Sequence, residues 1–150
     1  MNLEVVHAIM QRIRDLENQE HTTRNKFLQA AQLENVGIGV GATVDVTGSV
    51  DLDLPGRWAI QGDFTLWSTI AASRTELDGA LDVDGVQEVD IVKCSLYTGS
   101  TDYLTVGRLW IVQVVTAPAA IKLQVNHVAG VEATCVGAQT RLTAIHLYGE

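Results

Sequence analysis

The chain has 150 residues, 47% of them hydrophobic, with 10 Lys and Arg against 18 Asp and Glu for a net charge of -8. That length suits one domain with a proper core. No run of about 18 apolar residues and no basic-flanked apolar leader occurs, so a membrane span and Sec export are not expected. The acidic excess repels phosphate backbones and argues against a nucleic-acid partner.

Residues 1 to 26 read as an amphipathic helix and linker. Leu3, Val6, Ile9, Met10, Ile13 and Leu16 recur every three or four residues, while Glu4, Gln11, Arg12, Arg14 and Asp15 fill the opposite face. A stripe of about four turns is marginal in isolation and needs a partner surface. Three partners fit: the chain's own head, sister helices, or a larger assembly. Leu3, Val6, Met10 and Ile13 have the spacing of a short a and d seam, which makes them the candidates for anchoring or helix pairing. This segment balances four acids with four bases through residue 26, so the whole acidic excess falls on residues 27 to 150.

From Val36 onward the pattern is of short strands punctuated by glycine. Gly37, Gly39 and Gly41 lack the βα unit of a dinucleotide loop and read as a bent or closely approached edge strand. Ala42, Val44 and Val46, then Val50, Leu52 and Leu54, alternate with polar residues up to a turn at Pro55-Gly56. Trp58, Ile60, Phe64 and Leu66 share one face of the next strand, and Trp67 falls out of phase, either under a loop or at a subunit contact. Ser73 to Gly79 reads as a loop, followed by a hairpin from Leu81 to Ile91 around Asp84-Gly85.

Six acids, Glu76, Asp78, Asp82, Asp84, Glu88 and Asp90, stand between Thr75 and Val92 without a single Lys or Arg, as in a solvated face. The segment Tyr103 to Val115 is apolar on both sides: Leu104, Val106, Trp110, Val112 and Val114 face one way, Tyr103, Leu109, Ile111 and Val115 the other. Either a second layer or a neighbouring subunit must cover its outer side. Strands at Ile121 to Val128 and Arg141 to Tyr148 complete about eight to ten, the number a jelly roll uses.

Chemical motifs are scarce. The four histidines show no metal-ligand spacing, no serine sits in GxSxG, and the Asp82, Asp84, Gly85 run breaks the EF-hand pattern at Val86 and Gln87. No enzyme activity and no cofactor are expected. A loose loop-bound calcium site involving Glu88 or other loop acids is the one metal alternative. Cys94 and Cys135 read as buried thiols, with a disulfide between them left open.

The LPG turn at Leu54 to Gly56 with its aromatic-alternating strand, the two-sided strand Leu104 to Val114 and the final TRLTAIHLYG at Thr140 to Gly149 together resemble the TNF/C1q-like jelly rolls. The similarity is greatest to those of bacteriophage virion proteins and covers residues 27 to 150. It implies a mainly β, antiparallel jelly-roll sandwich behind a short N-terminal α-helix, assembled as a homotrimer through aromatic and apolar strands. The implied role is a phage capsid decoration, cement or head-fibre protein. It would be made in the host cytoplasm and bound at the outer capsid surface to the major capsid protein or another virion protein. The alternative is a receptor- or glycan-binding module of a tail fibre or adhesin. Trp67 and Trp110 are the expected subunit-interface residues, and Tyr97 and Tyr103 the expected ligand contacts.

Overall fold

A computed structural model describes the backbone of residues 2–24, 27–31, 34–68, 74–97 and 103–147, with side chains for all of these except 17–24, 31 and 97. Helix α1 spans Leu3–Arg24 and opens on Asn2, whose Oδ1 accepts the Glu4 N–H at 2.9 Å, the bond an N-cap makes. Leu3, Val5, Ile9, Met10, Ile13 and Leu16 remain 44% to 73% exposed, so the head of the same chain does not cover the helix's apolar stripe.

Twelve strands come after it among the described residues: β1 (Phe27–Ala31), β2 (Val36–Ile38), β3 (Thr43–Asp45), β4 (Val50–Leu52), β5 (Gly56–Trp67), β6 (Arg74–Val83), β7 (Val86–Gln87), β8 (Val92–Tyr97), β9 (Leu104–Val114), β10 (Ala119–Ala129), β11 (Ala133–Cys135) and β12 (Arg141–His146). Every pairing is antiparallel. In the first sheet β9 borders β5, β12 and β11 line the other edge of β5 in succession, and β1 and β2 lie outside them. A 3-10 turn at Gly137–Gln139 separates β11 from β12. In the second sheet β3 and β4 share one edge of β10, β6 takes the other, and β7 and β8 border β6. Between β3 and β4 the ladder continues through Val46, whose N–H donates to Leu123 O, and through Thr47, whose Oγ1 accepts the Leu123 N–H.

The core fills the space between the sheets. Trp58, Ile60, Phe64 and Leu66 of β5 meet Leu77 and Leu81 of β6 and Ile121, Leu123 and Val125 of β10, all buried. Alternation with a period of two makes this legible from the sequence, because successive side chains of a strand point to opposite faces.

Two local expectations change. Arg74–Gly79, expected as a loop, is the first half of β6, with Thr75 and Leu77 pointing inward and Glu76 and Asp78 outward. Gly79 disguised it. A Cβ there would stand 2.6 Å from Val92 Cγ1 and 2.9 Å from Phe64 Cε2, so the glycine is a core position that makes room for a phenyl ring. The expected hairpin forms around Asp84 and Gly85, both at positive φ (51° and 87°) as a tight two-residue turn requires. Its return strand stops at Gln87, however, and Val89 is exposed. The Trp110 Nε1 donates to Asp90 O at 2.7 Å and the Arg108 Nη1 to Ile91 O at 3.4 Å, which ties this segment to β9.

The glycine-rich stretch supplies the edge strand β2. No close approach demands Gly37, where an added methyl group would meet nothing within 4 Å, whereas Gly41 adopts a φ of 71° in the turn after β2. The Gly41 N–H donates to Nδ1 of buried His127, whose Nε2 lies 2.9 Å from Val131 O, so this histidine pins two turns together.

Candidate assembly interface

The outer faces of the two sheets differ in kind. On the second sheet Lys122 Nζ lies 3.0 Å from Asp45 Oδ2, and Gln124 Nε2 donates to Asp45 Oδ1 at 2.8 Å. Gln87 Nε2 donates to Gln124 Oε1 and Asn126 Oδ1, Asn126 Nδ2 donates back to Gln87 Oε1, and Thr43 Oγ1 donates to Asn126 Oδ1. Arg74 and Glu76 form a further exposed pair at 3.1 Å. The Gln124 hydrogen bond, followed by the bond and charge of Lys122, holds the Asp45 carboxyl below its ordinary value. Its contribution to stability is therefore present above the unfolded carboxylate pKa and is lost as pH falls through the lower folded one. These side chains hydrogen-bond and pair with one another across the face.

On the first sheet, strand register lines up Phe27, Ile145, Ala59 and Ile111 in one row across β1, β12, β5 and β9. Phe27 is 54% exposed, Ile145 41% and Ile111 50%. The adjacent row carries Gln29, Thr143, Gln61 and Leu109, and the one beyond it Arg141, Asp63 and Gly107. Leu109 is exposed, as is Val115 just past the end of β9. At the far end of the same face Trp67 packs against Tyr103 with ring centroids 5.8 Å apart. A contiguous apolar row flanked by a polar border is the makeup of a contact surface, because scattered exposed apolar residues need no register.

The sequence-derived candidates fall unevenly on this frame. Leu3, Met10 and Ile13 are exposed on α1 and Val6 is half-buried. Trp67 is half-buried on the first sheet's outer face, with its Nε1 sealed from solvent and without a hydrogen-bond partner. Trp110 is corrected: it is 4% exposed, faces the core in phase with Val112 and Val114, and uses its Nε1 to hold Asp90 O, so it has no surface to offer another subunit. Tyr103 is exposed beside Trp67 in the first sheet. Tyr97 ends β8 in the second sheet, and its side chain lies outside the described residues. Phe27 and Ile145 had no role assigned from sequence. In β12 Ile145 follows Arg141 and Thr143 on the outer face, and register sets it between Phe27 and Ala59.

No metal centre is gathered: among the described residues no three His, Cys, Asp or Glu side chains are grouped to hold an ion. Asp82 Oδ1 accepts the Gly85 N–H at 3.0 Å and Asp84 Oδ1 the Ala120 N–H at 2.8 Å, so these carboxylates brace the hairpin. Among the described residues no helix is long and apolar enough to cross a membrane.

Cys94 and Cys135 are free, buried thiols, one in β8 of the second sheet and one in β11 of the first. Burial pushes the Cys94 thiol up to about 11 and raises that of Cys135 as well, although its Sγ lies 3.1 Å from Thr140 Oγ1. For Cys94 the stability contribution is full below the unfolded thiol pKa and lost as pH rises towards 11. Native protein at pH 8 is expected to resist iodoacetamide at both thiols, with mass spectrometry showing two adducts only after denaturation. Rapid native labelling of Cys94 would contradict its burial.

No protein-family model matches this sequence, and no curated protein matches it significantly. Solved structures do match in fold. The infectious bursal disease virus Gt strain structure aligns with a TM-score of 0.56 at 11% identity, covering 81% of this chain and 33% of that one. The VP2 subviral particle of the same virus gives 0.55 at 15%, covering 82% and 33%. The Eiger TNF from S. frugiperda gives 0.51 at 11%, covering 83% of this chain and 94% of the TNF. The fold is a jelly roll. This chain spans about a third of the viral proteins and nearly the whole of the TNF domain, so the likeness is of one jelly-roll unit in each case.

Proposed function

We propose that the protein is a structural virion component, a homotrimeric phage capsid decoration, cement or head-fibre protein seated on the outer capsid surface through the major capsid protein or another virion protein. The observation that carries this reading is the in-register apolar row Phe27, Ile145, Ala59 and Ile111 on one outer face, opposite a face where Asp45, Gln124, Gln87 and Asn126 form a hydrogen-bonded polar network. A single jelly roll has no use for such a row. A ring of three copies closes it off, since a heterologous contact repeated by a closing rotation leaves no unpaired surface. Trp67, beside Tyr103 at the far end of the same face, is a second proposed interface residue, and the polar second sheet faces solvent.

The jelly rolls of a virus protein and its subviral particle support an assembly role through fold alone. Synthesis in the host cytoplasm before assembly belongs to the same reading. Mass spectrometry and cryo-electron microscopy of purified particles from the source genome test it: the chain is expected in stoichiometric amounts on the particle exterior, and its absence from particles sinks the proposal. Exposed Tyr103 leaning on Trp67 is the platform a glycan- or receptor-binding head would use. Binding on a glycan array that disappears in Tyr103→Ala would favour that role over decoration.

A further inference from the structure

We propose that α1 is a self-association element whose copies pack in parallel along Val6, Ile9, Ile13 and Leu16. The inference rests on the assembly reading above and names the helix's partner as a second copy of this chain. The four residues are spaced by three, four and three, the repeat that keeps one seam facing its partner over successive turns. Val6 and Ile13 take one core position of the heptad, Ile9 and Leu16 the other, with Leu3 and Met10 flanking on one side. The first pair, Val6 and Ile9, is β-branched at both core positions, whereas the second, Ile13 and Leu16, is not, so the seam fixes which face pairs and leaves the number of copies to the heads. The seam through Leu3, Val6, Met10 and Ile13 read from sequence is the flank of this wider stripe, since it leaves Ile9 and Leu16 at the edge.

Three observations select a sister helix as the occupant. The head of the same chain leaves the stripe open, with Ile9 and Leu16 about half exposed. The opposite side is finished on its own, through the Gln11 Nε2 to Asp15 Oδ1 bond at 3.0 Å and the Asn2 cap. The segment's four acids and four bases cancel, so copies lie side by side without the repulsion that an acidic helix would suffer. The surfaces are also continuous in the chain: α1 ends at Arg24, and β1 begins at Phe27, the first member of the apolar row.

Single-cysteine variants of the full chain test this, with the native thiols silent because both are buried. Ile9→Cys and Leu16→Cys are expected to form interchain disulfides under mild oxidation, read on a non-reducing gel, at severalfold the yield of Leu3→Cys and Gln11→Cys. Crosslinking of Leu16→Cys to itself requires parallel helices, because an antiparallel pair sets position 16 against position 6. Preferential crosslinking at position 3 or 11, or no crosslinking in a chain that light scattering shows to be trimeric, overturns helix pairing and leaves the head reading intact. A monomeric mass for the full chain overturns both.

Discussion

Ile111→Asp is expected to turn the assembled protein into a folded monomer. Ile111 sits in the row with Phe27, Ile145 and Ala59 and is half exposed in the single chain, so the substitution removes little from the monomer's own core. In a closed ring the same position is desolvated. Losing the remaining burial of an isoleucine costs about 1 kcal/mol, and an unpaired carboxylate at an apolar contact adds several more. Even about 2.7 kcal/mol per contact weakens association about a hundredfold. Light scattering should therefore fall from three masses to one at micromolar concentration, while thermal unfolding of the head hardly moves. Val86→Asp, an equally polar change at the exposed hairpin on the second sheet, should leave the mass unchanged. If Ile111→Asp stays trimeric with an unaltered association constant, the row is not the contact.

Trp58→Ala should give the largest loss of stability in the head. Trp58 is fully buried, donates its Nε1 to Leu54 O at 3.0 Å, and meets the His146 ring edge-on at 4.9 Å. Truncating a buried tryptophan costs about 3–5 kcal/mol, a large fraction of the roughly 5–15 kcal/mol that holds a domain of this size. The lost indole also leaves the Leu54 carbonyl at the turn before β5 without its donor. Chemical denaturation should show the midpoint falling steeply with little change in slope. Trp67→Ala, at a half-buried position on the outer face, should cost much less in the monomer and act chiefly on assembly. Equal losses for the two tryptophans would contradict the assignment of inner and outer faces to β5.

The two variants separate what a strand's own alternation announces from what its neighbours decide. Trp58, Ile60, Phe64 and Leu66 stand on even positions, and nothing but the period-two geometry of a strand was needed to send them inward. The same holds for Ile121, Leu123 and Val125 and for the phase of β9, where Leu109 and Ile111 were correctly set apart from Val112 and Val114. The Asp84-Gly85 turn was equally readable, since few other dipeptides accept positive φ at both positions. Arg74–Gly79 was not, because Gly79 carries no side chain to mark its inward turn and its fitness appears only against Phe64 and Val92. Trp110 shows the converse error. The resemblance to trimeric jelly rolls implied an interface role, whereas its phase along β9, shared with Val112 and Val114, places it in the core.

The sequence alone determined the division into an amphipathic helix and a β head, the core face of the long strands, and the confinement of excess acid to the head, because each depends on spacing or composition along the chain. Tertiary structure decided which residues share a surface. Phe27 and Ile145 are 118 positions apart and become neighbours of Ala59 and Ile111 only through the antiparallel register of four strands, and Asp45 meets Lys122 and Gln124 in the same way. Register is set by long-range hydrogen bonding and core packing, which no local window contains. The apolar row exists only once the sheet is formed.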